Sequence, residues 1–123
     1  MSTHDQIAVA SVWGHAEYCV AKRLPVDEAV AGLREITTRP DLLAQAAGLM
    51  VGGADPDVGD RPGRIKGARL LVAAGADREL LPRWLEQGRR NATQPARPGW
   101  GIQYVWPDDL EELLAQVLDG HDS

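Results

Sequence analysis

The chain of 123 residues is predicted to form a mainly α, single compact domain of five or six short helices. Apolar residues recur at steps of three and four along most of the sequence, and this is the period of an amphipathic helix. Proline and glycine, which interrupt helices, stand between those segments. A chain of this length is large enough for one hydrophobic core. That core must use Leu, Val, Ala, Ile and Trp, because the sequence contains no Phe.

Three helices are predicted in the first half of the chain. The first spans about 5–23 and ends before Pro25, because a proline restricts the residue that precedes it. The second begins at Pro25, since the first position of a helix needs no amide donor. The third spans about 41–51, and its small residues should let another helix approach closely. An exposed loop rich in Gly, Pro and Asp is expected at 52–63.

The corner Gly75-Ala76-Asp77 organises the prediction for the second half. A fourth helix over about 64–74 would end at this glycine, and the aspartate could cap the helix that follows. Pro82 leaves two possibilities for the fifth helix, because proline cannot donate an interior helical hydrogen bond. Either 77–81 is a separate short turn, or the helix itself begins at Pro82.

The last third of the sequence combines a loop, a short strand and a helix. Residues 91–101 have loop composition, and 102–106 alternate in polarity as a short strand does. This pattern allows one small β-hairpin near 97–106. A final helix is expected to begin at Pro107, with acidic residues in its first turn, and to end at Gly120.

Positive charge is concentrated in one part of an acidic chain. Residues 61–100 contain nine basic and three acidic residues, whereas the rest contains four basic and fifteen acidic residues. Such a segment can form a docking surface for phosphates or for an acidic partner. It can also pair with acidic groups of its own chain, which is the commoner use of surface charge. The sequence leaves both interpretations open.

Large aromatic residues cluster in the same segment. Trp84, Trp100, Tyr104 and Trp106 lie within 23 residues of each other. Aromatic side chains beside arginine favour protein interfaces. They also complete small cores when Phe is absent, so that alternative stays open.

Few residues suggest chemistry. His15 and Cys19 are four apart and should share a helix face, which could supply half of a zinc site. The other half is missing, because there is no second cysteine and the remaining histidines lie near the termini. A Cys/His nucleophile would also need a third, orienting group. We therefore predict no metal, no cofactor and no enzymatic activity.

The composition indicates a cytoplasmic protein that does not enter a membrane. One cysteine cannot form an internal disulfide, and no apolar run approaches the length of a membrane span. The first residues lack the basic and apolar regions of a signal peptide.

Residues 68–114 resemble the small winged helix-turn-helix domains of excisionases and MerR-type regulators. The resemblance rests on Ala68-Arg-Leu-Leu71, on Arg83-Trp84-Leu-Glu-Gln-Gly88-Arg89, on 102–106 as a wing strand and on the helix at 107–114. It implies a recognition helix in the major groove of DNA and a wing along the backbone. The residues that would then face DNA are Arg78, Arg83, Arg89 and Arg90.

Two functions follow from these patterns. The first is a small non-catalytic interaction or regulatory protein that binds an acidic protein partner through its basic 61–106 segment. The alternative is a DNA-binding accessory factor of the winged helix-turn-helix type. Both use the same predicted binding surface, whose members are Arg78, Arg83, Trp84, Arg89, Arg90, Trp100 and Trp106.

Overall fold

Helices account for nearly all of the structure, a computed structural model that describes residues 3–53, 61–93 and 107–119. The helices are α1 (Thr3–Ala21), α2 (Val26–Ile36), α3 (Pro40–Gly52), α4 (Arg61–Ala73), α5 (Leu81–Thr93) and α6 (Pro107–Asp119). The predicted mainly α class is confirmed. The hairpin proposed near 97–106 lies outside the described residues, as do residues 54–60 of the loop predicted at 52–63. The ends of that predicted loop, Gly52 and residues 61–63, are helical.

The third helix is the centre of the fold. It contacts α1, α4, α5 and α6, and α2 packs on the outer side against α1 and α4. Most of α3 is buried, including Leu43, Ala47 and Met50, which have no exposed surface. A helix that is apolar on all sides must lie inside, so the composition of α3 determines its central position.

The first helix ends earlier than predicted because Arg23 adopts a left-handed backbone conformation, with φ of 54°. The Leu24 amide donates to the Cys19 carbonyl at 3.0 Å, and the Arg23 amide donates to the Val20 carbonyl at 3.2 Å. This hydrogen-bond pair is the Schellman arrangement that closes a helix C-terminus. Glycine usually occupies the left-handed position, so an arginine there is unusual.

Gly75 ends α4 in the same way, as the sequence predicts. Its φ is 118°, the Ala76 amide donates to Leu71 at 3.2 Å, and its own amide donates to Val72 at 3.0 Å. Asp77 acts differently from the prediction. Its carboxylate accepts the Glu79 amide at 3.0 Å within a turn and therefore does not cap α5. The Asp77 amide donates to the Pro40 carbonyl at 3.0 Å, which fastens the corner to the start of α3.

The structure settles the ambiguity at Pro82. Residues 78–80 form a turn, and α5 begins at Leu81. Pro82 therefore lies in the first turn, where its missing amide costs nothing. The helix continues to Thr93, beyond the loop predicted from residue 91 onward, and Gln87 Nε2 donates to Asn91 Oδ1 at 2.9 Å along it.

The second helix buries less than its pattern suggests. Ala29 and Leu33 are fully buried, whereas Val26 and Ile36, which recur with them at steps of three and four, are 57% and 38% exposed. After this helix, Arg39 donates to Asp5 and to Asp41, each at 2.7 Å, and so links the start of α3 to α1. The hydrogen bond from Arg39 holds the pKa of Asp41 below its ordinary value.

Candidate functional site

The position of α5 is fixed by direct contact of its backbone with that of α3. A Cβ atom added at Gly48 would lie 2.8 Å from the Leu85 amide nitrogen, and one added at Gly88 would lie 2.9 Å from the Leu49 carbonyl oxygen. A Cβ atom at Gly52 would collide with the Leu85 carbonyl. Only glycine fits at such a crossing. The prediction that small residues of α3 admit a close neighbour is confirmed.

Trp84 sits at the edge of this crossing. Its Cβ atom lies directly against Gly48, and its side chain is half-buried and packs against the hydrophobic core. The Arg83 guanidinium lies 5.6 Å from the centre of the Trp84 ring, within the range of a cation–π contact. Trp84 therefore takes part in the core and also presents a partly exposed ring beside an exposed cation.

Three of the predicted surface arginines are exposed. Arg78 and Arg83 make no ion pair with any residue in the described ranges. Arg90 pairs with Glu86, one turn earlier on the same helix, and its side chain is 66% exposed. The pairing reduces the charge that Arg90 can offer to a partner.

Arg89 does not belong to that surface, since it is only 7% exposed. It lies one turn after Leu85, on the face of α5 that packs against α3, and its amide nitrogen would be 3.1 Å from a Cβ atom at Gly52. The four-residue step from Leu85 was the signal that could have placed it inside. Trp100 and Trp106 lie outside the described residues.

Two arginines of α4 serve the fold. Arg64 donates from Nη1 to the Met50 carbonyl at 3.1 Å, near the end of α3, and stacks 6.0 Å from the Trp13 ring. Arg69 donates from Nε to the Gln116 carbonyl at 2.7 Å, in the second half of α6. Arginine side chains stabilise helix C-termini by such bonds. Arg64 and Arg69, although part of the basic segment, therefore stabilise contacts within the chain.

The arrangement of α4 and α5 differs from that of a short helix-turn-helix. Residues 74–80 separate them, whereas the motif typically has a turn of three or four residues. Within the described ranges α4 and α5 each contact α3 and do not contact one another. This geometry lends no support to the DNA-binding alternative.

His15 and Cys19 share the inner flank of α1. The His15 ring stacks with Tyr18, at 6.0 Å between centroids, and packs against Gly32 of α2. Cys19 is buried, and burial together with the negative charge of Glu28 raises the pKa of its thiol. No group of three or more His, Cys, Asp or Glu suited to a metal ion occurs in the part of the chain that the structure describes.

Comparisons with protein-family models, with curated proteins and with solved structures find no match to this chain. Among the helices described, none combines the length and the apolar character needed to cross a membrane. The functional argument therefore depends on the residues of this chain alone.

Proposed function

We propose that this protein is a non-catalytic interaction protein of the cytoplasm that binds an acidic partner protein through the outward face of α5. We define this α5 face by Arg83, Trp84 and Arg90 of the helix, together with Arg78 of the turn that precedes it. The observation that carries the proposal is the Arg83–Trp84 pair, an exposed cation against an aromatic ring that is anchored on Gly48. Arginine and tryptophan are the residue types that dominate binding energy at protein interfaces.

The α5 face suits an acidic protein surface for two reasons. Trp84 is already ordered by the core, so burying its exposed part against a partner costs little conformational entropy. Arg78 and Arg83 have no ion-pair partner in the described ranges and can form paired hydrogen bonds with carboxylates. Trp100 and Trp106 remain predicted anchors of the same interface on the basis of the sequence.

A DNA-binding accessory role is the alternative. Strong DNA binders neutralise about six to ten phosphates, and each contact steepens the dependence of affinity on salt. Arg89 is buried and Arg90 is paired to Glu86. This leaves Arg83 of α5 and Arg78 of the preceding turn as the cations of this face that make no ion pair within the described ranges. Two cations are too few for such a footprint, so we favour a protein partner.

The test is affinity capture from nuclease-treated host lysate with two matched double variants. Arg78→Gln/Arg83→Gln removes two positive charges from the α5 face. Lys22→Gln/Arg34→Gln removes two exposed charges elsewhere and serves as the control. We expect the first variant to weaken retention of the captured protein at least about tenfold and the control to leave it unchanged. Equal retention by both variants would contradict the proposal.

A mobility shift with random duplex DNA separates the two functions. We expect no shift at low salt. A shift that disappears at physiological salt, and that is lost in Arg78→Gln/Arg83→Gln, would favour the DNA-binding alternative. Trp100→Ala in the capture experiment tests the predicted contribution of that tryptophan, which should weaken binding without unfolding the domain.

A further inference from the structure

An open cavity of about 310 Å³ lies between the end of α1, the start of α2 and the middle of α4. Its volume is at the lower end of the range occupied by small-ligand sites. The site is distinct from the α5 face, because none of its lining residues belongs to α5.

The lining divides into an apolar part and a cationic part. The apolar side chains are Cys19, Val20, Leu24, Val26 and Leu70, and the cations are Arg23, Lys66 and Arg69. The described residues that line the cavity include no acid. Val26 is 57% exposed at the edge of the cavity, which leaves apolar surface available to a ligand.

The three cations differ in their burial and in their bonds to the rest of the chain. Arg69 is half-buried and held by its bond to the Gln116 carbonyl, so it forms a fixed part of the wall. Lys66 and Arg23 are exposed and make no ion pair with any described residue. Together, the three cations can bind the charged group of a ligand whose apolar part lies on the apolar wall of the cavity.

The backbone at Arg23 gives an independent indication. Its left-handed conformation, with φ of 54°, would be adopted by glycine at lower energy. Strained backbone of this kind is found preferentially at functional positions. Arginine at this position places a cation beside the cavity at the expense of local stability.

We propose that this cavity binds a small organic anion that has an apolar body, with its anionic head between Arg23, Lys66 and Arg69. The apolar body would lie along Val20, Leu24 and Leu70. A carboxylate and a phosphate monoester share this chemistry, and the cations can accept either. The negative charge of Glu28, which contributes to the raised pKa of the Cys19 thiol, opposes binding of an anion, and the cations that line the cavity favour it.

The test is a binding titration followed by nuclear magnetic resonance on the full chain, with octanoate and octyl phosphate as probes. Either anion should saturate a single site at a concentration on the order of 1 mM and shift the amide signals of Val20, Leu24 and Leu70. The tighter of the two identifies the preferred head group. 1-Octanol tests the need for charge, and acetate tests the need for an apolar body. The proposal would be overturned if 1-octanol or acetate bound as tightly as octanoate and octyl phosphate. It would also be overturned if neither octanoate nor octyl phosphate bound.

Variants then test which of the cations contribute to binding of the anion. Lys66→Gln and Arg23→Gly should each weaken binding by about threefold to fivefold, whereas Lys22→Gln, an exposed cation outside the cavity, should not change it. Arg23→Gly also relieves the strained backbone, so we expect this variant to remain folded, and its denaturation curve separates loss of affinity from loss of stability. Unchanged affinity in both test variants would overturn the assignment.

Cys19 provides a second readout, because it is the single cysteine of the chain and lines the cavity. The thiol is buried, so a disulfide reagent reaches it only when the chain opens around it, and a ligand at ten times its dissociation constant should slow this modification about tenfold. An unchanged rate at saturating octanoate would contradict binding of the ligand to the folded protein.

Discussion

The fourth and fifth helices both pack on α3, yet they do so in opposite ways. α5 meets α3 through glycine at Gly48, Gly52 and Gly88, so the two backbones touch at these positions. α4 is held by larger side chains, among them Ile65 and Leu71, and borders an open cavity shared with α1 and α2. The close crossing seats α5 directly on α3, and the outer face of α5 is exposed. The looser packing beside α4 leaves room for a small ligand.

The two helices also use their arginines differently. α4 has four basic residues and no acidic one, and its Arg64 and Arg69 donate to carbonyl groups of other helices. On α5, Arg83 remains exposed beside Trp84, and Arg90 pairs with Glu86. A count of basic residues along the sequence treats all of these as equivalent. The direction of each side chain decides whether it stabilises the fold or is available for binding.

The largest effect is expected at the crossing of α3 and α5. Gly52→Ala places a Cβ atom against the Leu85 carbonyl, so the helices must separate, and we expect the free energy of unfolding to fall by about 3 kcal/mol. Gly14→Ala is the control, because the corresponding Cβ atom on α1 meets nothing within 4 Å. It should raise the unfolding free energy by up to about 1 kcal/mol.

Urea denaturation of both variants measures this difference. Effects of the same sign and size at Gly52 and Gly14 would show that α5 is not seated directly on the backbone of α3.

An intermediate effect should distinguish an arginine of the fold from one of the surface. Arg69→Met leaves the Gln116 carbonyl without its donor, and we expect a loss of about 1.5 kcal/mol in unfolding free energy. Arg83→Met should change it by less than about 0.5 kcal/mol, because Arg83 is exposed. Thermal unfolding of the pair is the measurement, and equal losses would remove the distinction between the two helices.

The smallest effect is expected at the end of α1, beside the cavity. Arg23→Gly should raise the free energy of unfolding by about 0.5 to 1 kcal/mol, because glycine adopts the left-handed conformation without strain. Lys22→Gly, at the preceding residue with ordinary backbone angles, should lower it by a similar amount. A loss of stability in Arg23→Gly would show that the arginine side chain supports the fold.

Helix content and order could be predicted from periodicity and from the positions of proline and glycine. Gly75 ends α4 as predicted, because a glycine at the end of a helix can be recognised from the local sequence alone. The start of α5 stayed ambiguous because Pro82 fits two local structures. Both ends of α1 were misplaced by two residues and the start of α4 by three, because helix ends depend on backbone bonds that periodicity does not encode.

The candidate sites were less predictable than the helices. Arg89 was counted as a surface cation although its four-residue step from Leu85 places it on the inner face of α5. The cavity brings Arg23 together with Lys66 and Arg69, which lie more than forty residues away along the chain. This proximity depends on how α1 packs against α4, and local sequence patterns carry no information about that packing.

The most direct test of the central claim is site-specific photocrosslinking in the host cell, with a photoreactive amino acid at position 86, one turn before Arg90 on α5, or at position 35 on α2. Both positions are exposed and carry glutamate in the native chain, so each serves as the other's matched control and the cations of the α5 face stay in place. We predict that position 86 crosslinks to a distinct protein and that position 35 does not. The same crosslinked protein from both positions, or none from position 86, would contradict the assignment of the α5 face as the partner-binding surface.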